Sequence, residues 1–205
     1  MGIWTDRVVP RLADRSLSTR PVMRLRRGAV AGLGGRVLEI GFGSGLNAGL
    51  YPPEVDQVDA VEPSDVGWEM SEARRAAATV PVERVGLDGQ RLAAQDQTYD
   101  AVLSTFTLCT IPDATRALGE VRRVLRPGGA LHFLEHGLSP DPGVGRWQRR
   151  LDPLQRLVAG GCELSRDVPT LVRAAGFDVL ELESAYLPGP GAGRPWTWVS
   201  RGRAG

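Results

Sequence analysis

Residues Arg36 to Gly45 read RVLEIGFGSG, and the rest of the chain is organised around them. Val37, Leu38 and Ile40 form a short apolar run of the kind a strand buried on both faces requires. The run breaks into Gly41, Gly43 and Gly45 at every second position. Glycine there lets the backbone turn with φ > 0 and lets a ligand approach the main chain without meeting a Cβ. Ser44 is placed to cap a following helix through its hydroxyl. The stretch predicts strand, tight glycine turn and helix N-terminus, which is a nucleotide-binding arrangement.

The dinucleotide fingerprint wants glycines at its first, third and sixth positions, around a pyrophosphate. Here the sixth position is Leu46, and Glu39 stands two residues before the first glycine. A carboxylate at that point repels phosphate and suits a ligand carrying an amino group and a sulfonium charge. The residues resemble motif I of the class I S-adenosylmethionine-dependent methyltransferases, acid-x-Gly-x-Gly-x-Gly. That resemblance implies S-adenosyl-L-methionine as cofactor, with Glu39, Gly41, Gly43 and Gly45 beside it.

Moving outward, Asn47 to Leu50 predict a short helix stopped by Pro52 and Pro53, and Gln57 to Val61 a second strand ending at Glu62. Glu62 follows Gly41 by about the 20 residues expected of a carboxylate that reaches a ribose. Its two oxygens can accept from both ribose hydroxyls. Ser64 predicts a capped helix to about residue 78, with Val66, Met70 and Ala73 on one face. Pro81 to Val85 predict a third strand. The following GLDGQRL resembles the adenine-binding segment of the same methyltransferases, which implies Asp88 and Gly89 at the adenine edge. DG is also an ordinary turn dipeptide.

Tyr99 to Phe106 predict a fourth strand, with Thr105 to Cys109 emerging at its carboxyl end, where open α/β sheets bind ligands. Thr105 is therefore a further cofactor contact. Pro112 and Asp113 open a helix running through Leu125, with Leu118, Val121 and Leu125 inward. The segment EVRRVLRPGGALHFLEH resembles the helix, Pro-Gly-Gly turn and acid-ended fifth strand of this methyltransferase class. Residues 137–164 are irregular around an Arg- and Trp-bearing helix. A helix at Asp167 to Ala175, a strand at Phe177 to Tyr186 and a short strand at Trp196 to Val199 complete the chain.

The expected fold class is α/β: a Rossmann-like, doubly wound seven-stranded sheet, mostly parallel with one antiparallel strand. A length of 205 residues suits a single domain. Within it, 1–34 are amphipathic N-terminal helices, 35–136 the cofactor-binding half, 137–164 a candidate substrate lid and 165–205 the closing helix and strands. Arg24, Arg26 and Arg27 read as a solvated helix face, with contact to a membrane surface the alternative, disfavoured because no flanking apolar stripe is strong enough to insert. Basic and acidic residues balance, 25 against 24, so no broad field invites nucleic acid. Every basic residue is arginine, which excludes lysine Schiff-base chemistry. Cys109 and Cys162 lack the number for a disulfide framework and the spacing of metal ligands. There is no apolar run of membrane-spanning length and no secretory h-region at the start, so the expected location is cytoplasmic.

LEIGFGSG, YPP, TLCTIPD, VLRPGGALHFLEH, LDP and GC-L-R, in that order, resemble the methyltransferase-like family that includes alkyl thiol S-methyltransferases. The family's motif I usually has Cys or Thr where this chain has Phe42 and Ser44, and its membrane members carry an apolar N-terminal anchor not seen here. The resemblance implies methyl transfer to a small-molecule acceptor, a thiol among the options, with a quinone or a phospholipid amine as others. His136, at the carboxyl end of the fifth strand, is the candidate catalytic base, with Glu135 as its possible orienter. Trp147 and Cys162 are candidate substrate contacts. A nicotinamide oxidoreductase and a non-catalytic S-adenosylmethionine-binding module are the rival readings.

Overall fold

The computed structural model describes residues 4–205. A π-helical turn at Trp4–Val8 leads into α1 (Val9–Leu17) and α2 (Arg20–Val30). Four parallel strands follow, β1 (Gly35–Ile40), β2 (Val55–Val61), β3 (Val82–Gly86) and β4 (Tyr99–Thr105). Between β2 and β3 lie α3 (Asp65–Met70) and α4 (Glu72–Ala76). After β4 come α5 (Ala114–Val124), β5 (Leu125–His136), α6 (Pro142–Val158), α7 (Val168–Ala174) and β6 (Val179–Tyr186). A 3-10 turn at Gly191–Trp196 precedes β7 (Trp198–Ala204).

The seven strands form one sheet in the order β3-β2-β1-β4-β5-β7-β6. β7 runs antiparallel to both of its neighbours, and the other pairings are parallel. Alternation along each strand feeds two cores. Leu38, Ile40, Val102, Leu131 and Phe133 meet α5 and α7 on one face. Val37, Val58, Leu103 and Leu134 meet Ala29, Val30 and Leu33 from α2 and its exit on the other. Glu39 shares the second face with Val37, because side chains two apart on a strand point the same way.

Three local expectations are corrected. No helix follows the glycine turn. Residues 43–50 make tight turns instead, with Ala48 N–H donating to Gly45 O at 3.1 Å and Leu50 N–H to Asn47 O at 2.8 Å. The segment before Pro52 is too short to offset helix nucleation, and Asn47 is drawn inward by side-chain bonds. The helix after β2 is broken at Ser71, whose hydroxyl donates to Trp68 O at 2.6 Å and so competes with the helical ladder. Its inward residues are Gly67 and Ser71 rather than Val66 and Met70. β7 extends well past Val199, and its terminal Ala204 is fully buried.

Candidate active site

Strand order reverses between β1 and β4, which opens a crevice at the carboxyl ends of the strands. The glycine turn forms its floor, and its glycines differ in use. Gly41 has φ +72, and a Cβ on it would lie 2.0 Å from Thr107 Oγ1, so this glycine lets the β4 loop pack against the turn. Gly43 has φ +57 and faces open space, the nearest atom to a Cβ being its own turn's Gly41 O at 3.9 Å. Gly45 packs against Ser71 and the Phe42 ring.

Glu62 closes the turn from β2. Its Oε2 accepts from Gly43 N–H at 2.6 Å and its Oε1 from Ser64 N–H at 2.7 Å. Burial raises its pKa, and these two amides work against the shift. Each oxygen keeps a lone pair for a second donor. Asp88 is exposed at the next strand end, where its Oδ1 accepts from Gln90 N–H at 2.8 Å. Gly89 beside it is buried against Ile40.

Glu39 is sealed beneath the turn. Its Oε1 accepts from Asn47 Nδ2 at 2.9 Å, and its Oε2 from the Tyr51 hydroxyl. Burial raises its pKa to about 7, against the pull of Tyr51, Asn47 and the Arg26 cation. Arg26 is the unexpected member. It is only 4 % exposed, and its guanidinium donates to Asn47 Oδ1 at 3.0 Å and to Thr105 Oγ1 at 2.8 Å. Its carbon lies 5.3 Å from the Phe106 ring centroid. Its Nε is buried with no partner. Arg24 and Arg27 are exposed as the sequence predicts, but Arg26 is not. A signal was present: Val22, Arg26, Ala29 and Val30 share one stripe of α2, so the arginine interrupts an apolar face.

A second cluster sits where β4 and β5 end. Glu135 is fully buried and accepts from Ser104 Oγ at 2.7 Å, Thr107 N–H at 3.1 Å and Cys109 N–H at 3.2 Å. It therefore holds the loop after β4. His136 Nε2 lies 2.7 Å from Trp196 O, a carbonyl that accepts and so fixes the proton on Nε2. Nδ1 is left facing Cys162 Sγ at 4.0 Å, and that sulfur lies 3.8 Å from Cys109 Sγ. Burial opposes the charged imidazole, but Cys162, the Trp196 carbonyl and Glu135 outweigh it, so the pKa of His136 is raised. The Cys109 thiol and then His136 pull the Cys162 thiol below its ordinary range. The sequence named His136 and Cys162 separately; the fold brings them together. Trp147 is exposed on α6.

This geometry does not suit a dinucleotide. The N–H of Gly43 is taken by a carboxylate, and no helix N-terminus follows to meet a pyrophosphate. It fits S-adenosylmethionine, on three observations. Gly43 opens into space, Glu62 has spare lone pairs, and the orphaned Arg26 Nε, on a guanidinium bonded to Thr105 at the end of β4, suits an anionic group such as a carboxylate.

The family model for the methyltransferase domain matches residues 38–133. The chain is 33% identical over 153 residues to the rat thiol S-methyltransferase TMT1B, covering 72% of this chain and 62% of that protein. It is 33% identical over 167 residues to human thiol S-methyltransferase TMT1B, covering 78% of this chain and 67% of the relative. The chain thus spans roughly two thirds of the length of the curated relatives it matches. In fold it resembles a S-adenosylmethionine-dependent methyltransferase from Thermotoga maritima, with a TM-score of 0.69, 24% identity and coverage of 100% and 99% of the two chains.

Proposed function

The chain belongs to the methyltransferase-domain family, whose cofactor is S-adenosyl-L-methionine, and from that premise we propose that it transfers a methyl group to a small-molecule thiol. The observation that carries the reading is the buried, incompletely partnered Arg26 guanidinium, bonded to Asn47 after the glycine turn and to Thr105 at the end of β4. The choice of a thiol is supported by the named activity of the relatives and by the His136–Cys162 pair.

Each residue has a task in this reading. Arg26 holds the carboxylate of the methionine part, and Glu62 accepts from the ribose hydroxyls. Asp88 and the Gly89 main chain take the adenine edge. Glu39, Asn47 and Thr105 keep Arg26 and the turn in place. Bound cofactor supplies a methyl group already activated on a sulfonium sulfur. The protein adds proximity, orientation and removal of the acceptor proton. His136 Nδ1 takes that proton, since Nε2 is committed to Trp196 O. Cys162 lines the acceptor side.

Calorimetry with S-adenosylmethionine, its demethylated product and NAD, followed by turnover on thiols, quinols and phospholipid amines, tests the proposal. Binding of the first two but not NAD, and formation of a methyl thioether, are expected. With a neutral thiol the rate should rise with pH through a pKa above the ordinary histidine value of 6.5, because only neutral His136 accepts the proton. His136→Gln should slow that reaction and spare an already ionised thiol. Equal rates in both proteins at every pH would remove His136 from the chemistry, and binding of NAD in place of S-adenosylmethionine would overturn the function.

A further inference from the structure

Helix α6 is packed inside out. Its buried residues are Gly145, Gln148 and Asp152. Gln148 Nε2 donates to Gly137 O at 2.9 Å and to Pro195 O at 3.0 Å, and its Oε1 accepts from Ser139 N–H at 2.9 Å. Asp152 accepts from Leu164 N–H at 2.6 Å and from the Ser165 hydroxyl. The polar side of this helix therefore faces the protein. With about 3.6 residues per turn, Trp147, Leu151, Leu154 and Val158 follow one stripe, and Leu157 borders it. Trp147 is 56%, Leu154 57% and Leu157 71% exposed.

Two more tryptophans join this surface. The Trp4 indole N–H donates to Val158 O at 3.1 Å, and the Trp196 indole N–H to Gln155 Oε1 at 3.1 Å; both residues are a little under half exposed. Arg146 and Arg150 are exposed beside the stripe, Arg149 and Arg156 are exposed further round the helix, and the one acid within the helix, Asp152, is buried. The Arg150 guanidinium lies 5.6 Å from the Trp147 ring.

We propose that α6, with Trp4 and Trp196, is a peripheral docking surface for an anionic lipid bilayer. An amphipathic helix with Trp and Leu on one side and arginines beside them lies in the plane of a membrane interface. Its tryptophans sit at headgroup level, and its arginines reach up to lipid phosphates while their stems cover apolar surface. A second copy is the less suitable occupant, because a two-fold contact through this stripe sets arginines against arginines. The inner side of the helix is tied through Gln148 to Gly137, next to His136, so a docked α6 stands beside the acceptor end of the site.

Flotation of the full chain with phosphatidylcholine vesicles, with and without added phosphatidylglycerol, tests this. The protein should float with the anionic vesicles, less so at high salt, and its tryptophan emission should shift to the blue. Leu154→Glu/Leu157→Glu should bind at least about tenfold more weakly, with unchanged circular dichroism and unchanged S-adenosylmethionine affinity. Arg146→Ser/Arg150→Ser should lose binding and salt sensitivity together. Failure of the wild type to float, equal flotation of the Glu variant, or a vesicle-free dimer dissolved by that variant would overturn the proposal. None of these readouts depends on the methyl acceptor.

Discussion

Arg26 shows most clearly how one residue acquires a role from its surroundings. A guanidinium carries five N–H donors, and water satisfies all of them on a free helix. Here Asn47 and Thr105 meet part of that set, and Nε has no partner. Burial lowers the Arg26 pKa to about 10, against the attraction of Glu39 and Glu135. The group therefore stays charged at neutral pH and has bonding capacity to spare. Arg26→Met should weaken S-adenosylmethionine binding by roughly one to two powers of ten, since a bond to a charged partner is worth about 1.5–3 kcal/mol. Decarboxylated S-adenosylmethionine should bind both proteins alike. Thermal stability should also fall, because the buried Glu39 loses its facing cation and Asn47 Oδ1 and Thr105 Oγ1 lose a donor, so affinities are compared in the folded protein. Calorimetry with the two ligands and a melting curve check the claim; equal losses for both ligands would place the carboxylate elsewhere.

At the scale of elements, α5 is fixed by its own sequence and then used as a brace. Asp113 caps it by accepting from Arg116 N–H at 2.9 Å, and Leu118 and Val121 turn inward as the spacing predicts, with Ala117 buried beside them. Its outer edge holds residues 92–96. Glu120 accepts from Leu92 N–H and Arg123, while Arg123 also donates to Leu92 O, Ala94 O and Asp96. The Arg123 bond holds the Glu120 pKa down to about 2 from 4.5. A depressed carboxylate pKa stabilises the fold above the unfolded value, and that contribution fades as pH falls through the folded value. Glu120→Gln should thus lose about 1 kcal/mol at neutral pH, and the gap to wild type should close between pH 4.5 and about 2. A constant gap across that range in urea titrations would show that packing, not charge, is at stake. By contrast, the helix expected at Asn47–Leu50 does not form, since side-chain bonds to Glu39 and Thr105 outweigh the weak preference of so short a segment.

Across the whole molecule, β7 joins the parallel sheet to its edge strand β6, and Gly202 is the point of closest approach. A Cβ there would meet Glu181 O and the Phe133 ring at 2.6 Å each. Gly202→Val should therefore destabilise the fold by about 1–3 kcal/mol through overpacking, seen as a lower urea midpoint, while a cofactor site on β1, β2 and β4 keeps its affinity in the folded fraction. An unchanged midpoint would mean that β6 and β7 move apart freely. The sequence by itself determined the strands, the glycine turn, the acid after β2, the capped α5 and the mixed sheet. Those features rest on alternation, glycine conformation and capping, which act over a few residues and leave their mark in the local pattern. The stripe of α2 marked Arg26 as inward, but only the tertiary structure decided that it meets Asn47 and Thr105, that His136 meets Cys162, and that α6 turns its apolar stripe outward. Such pairings depend on which distant segments compete for the same buried space. Neither side of that competition is written in the spacing of its own residues.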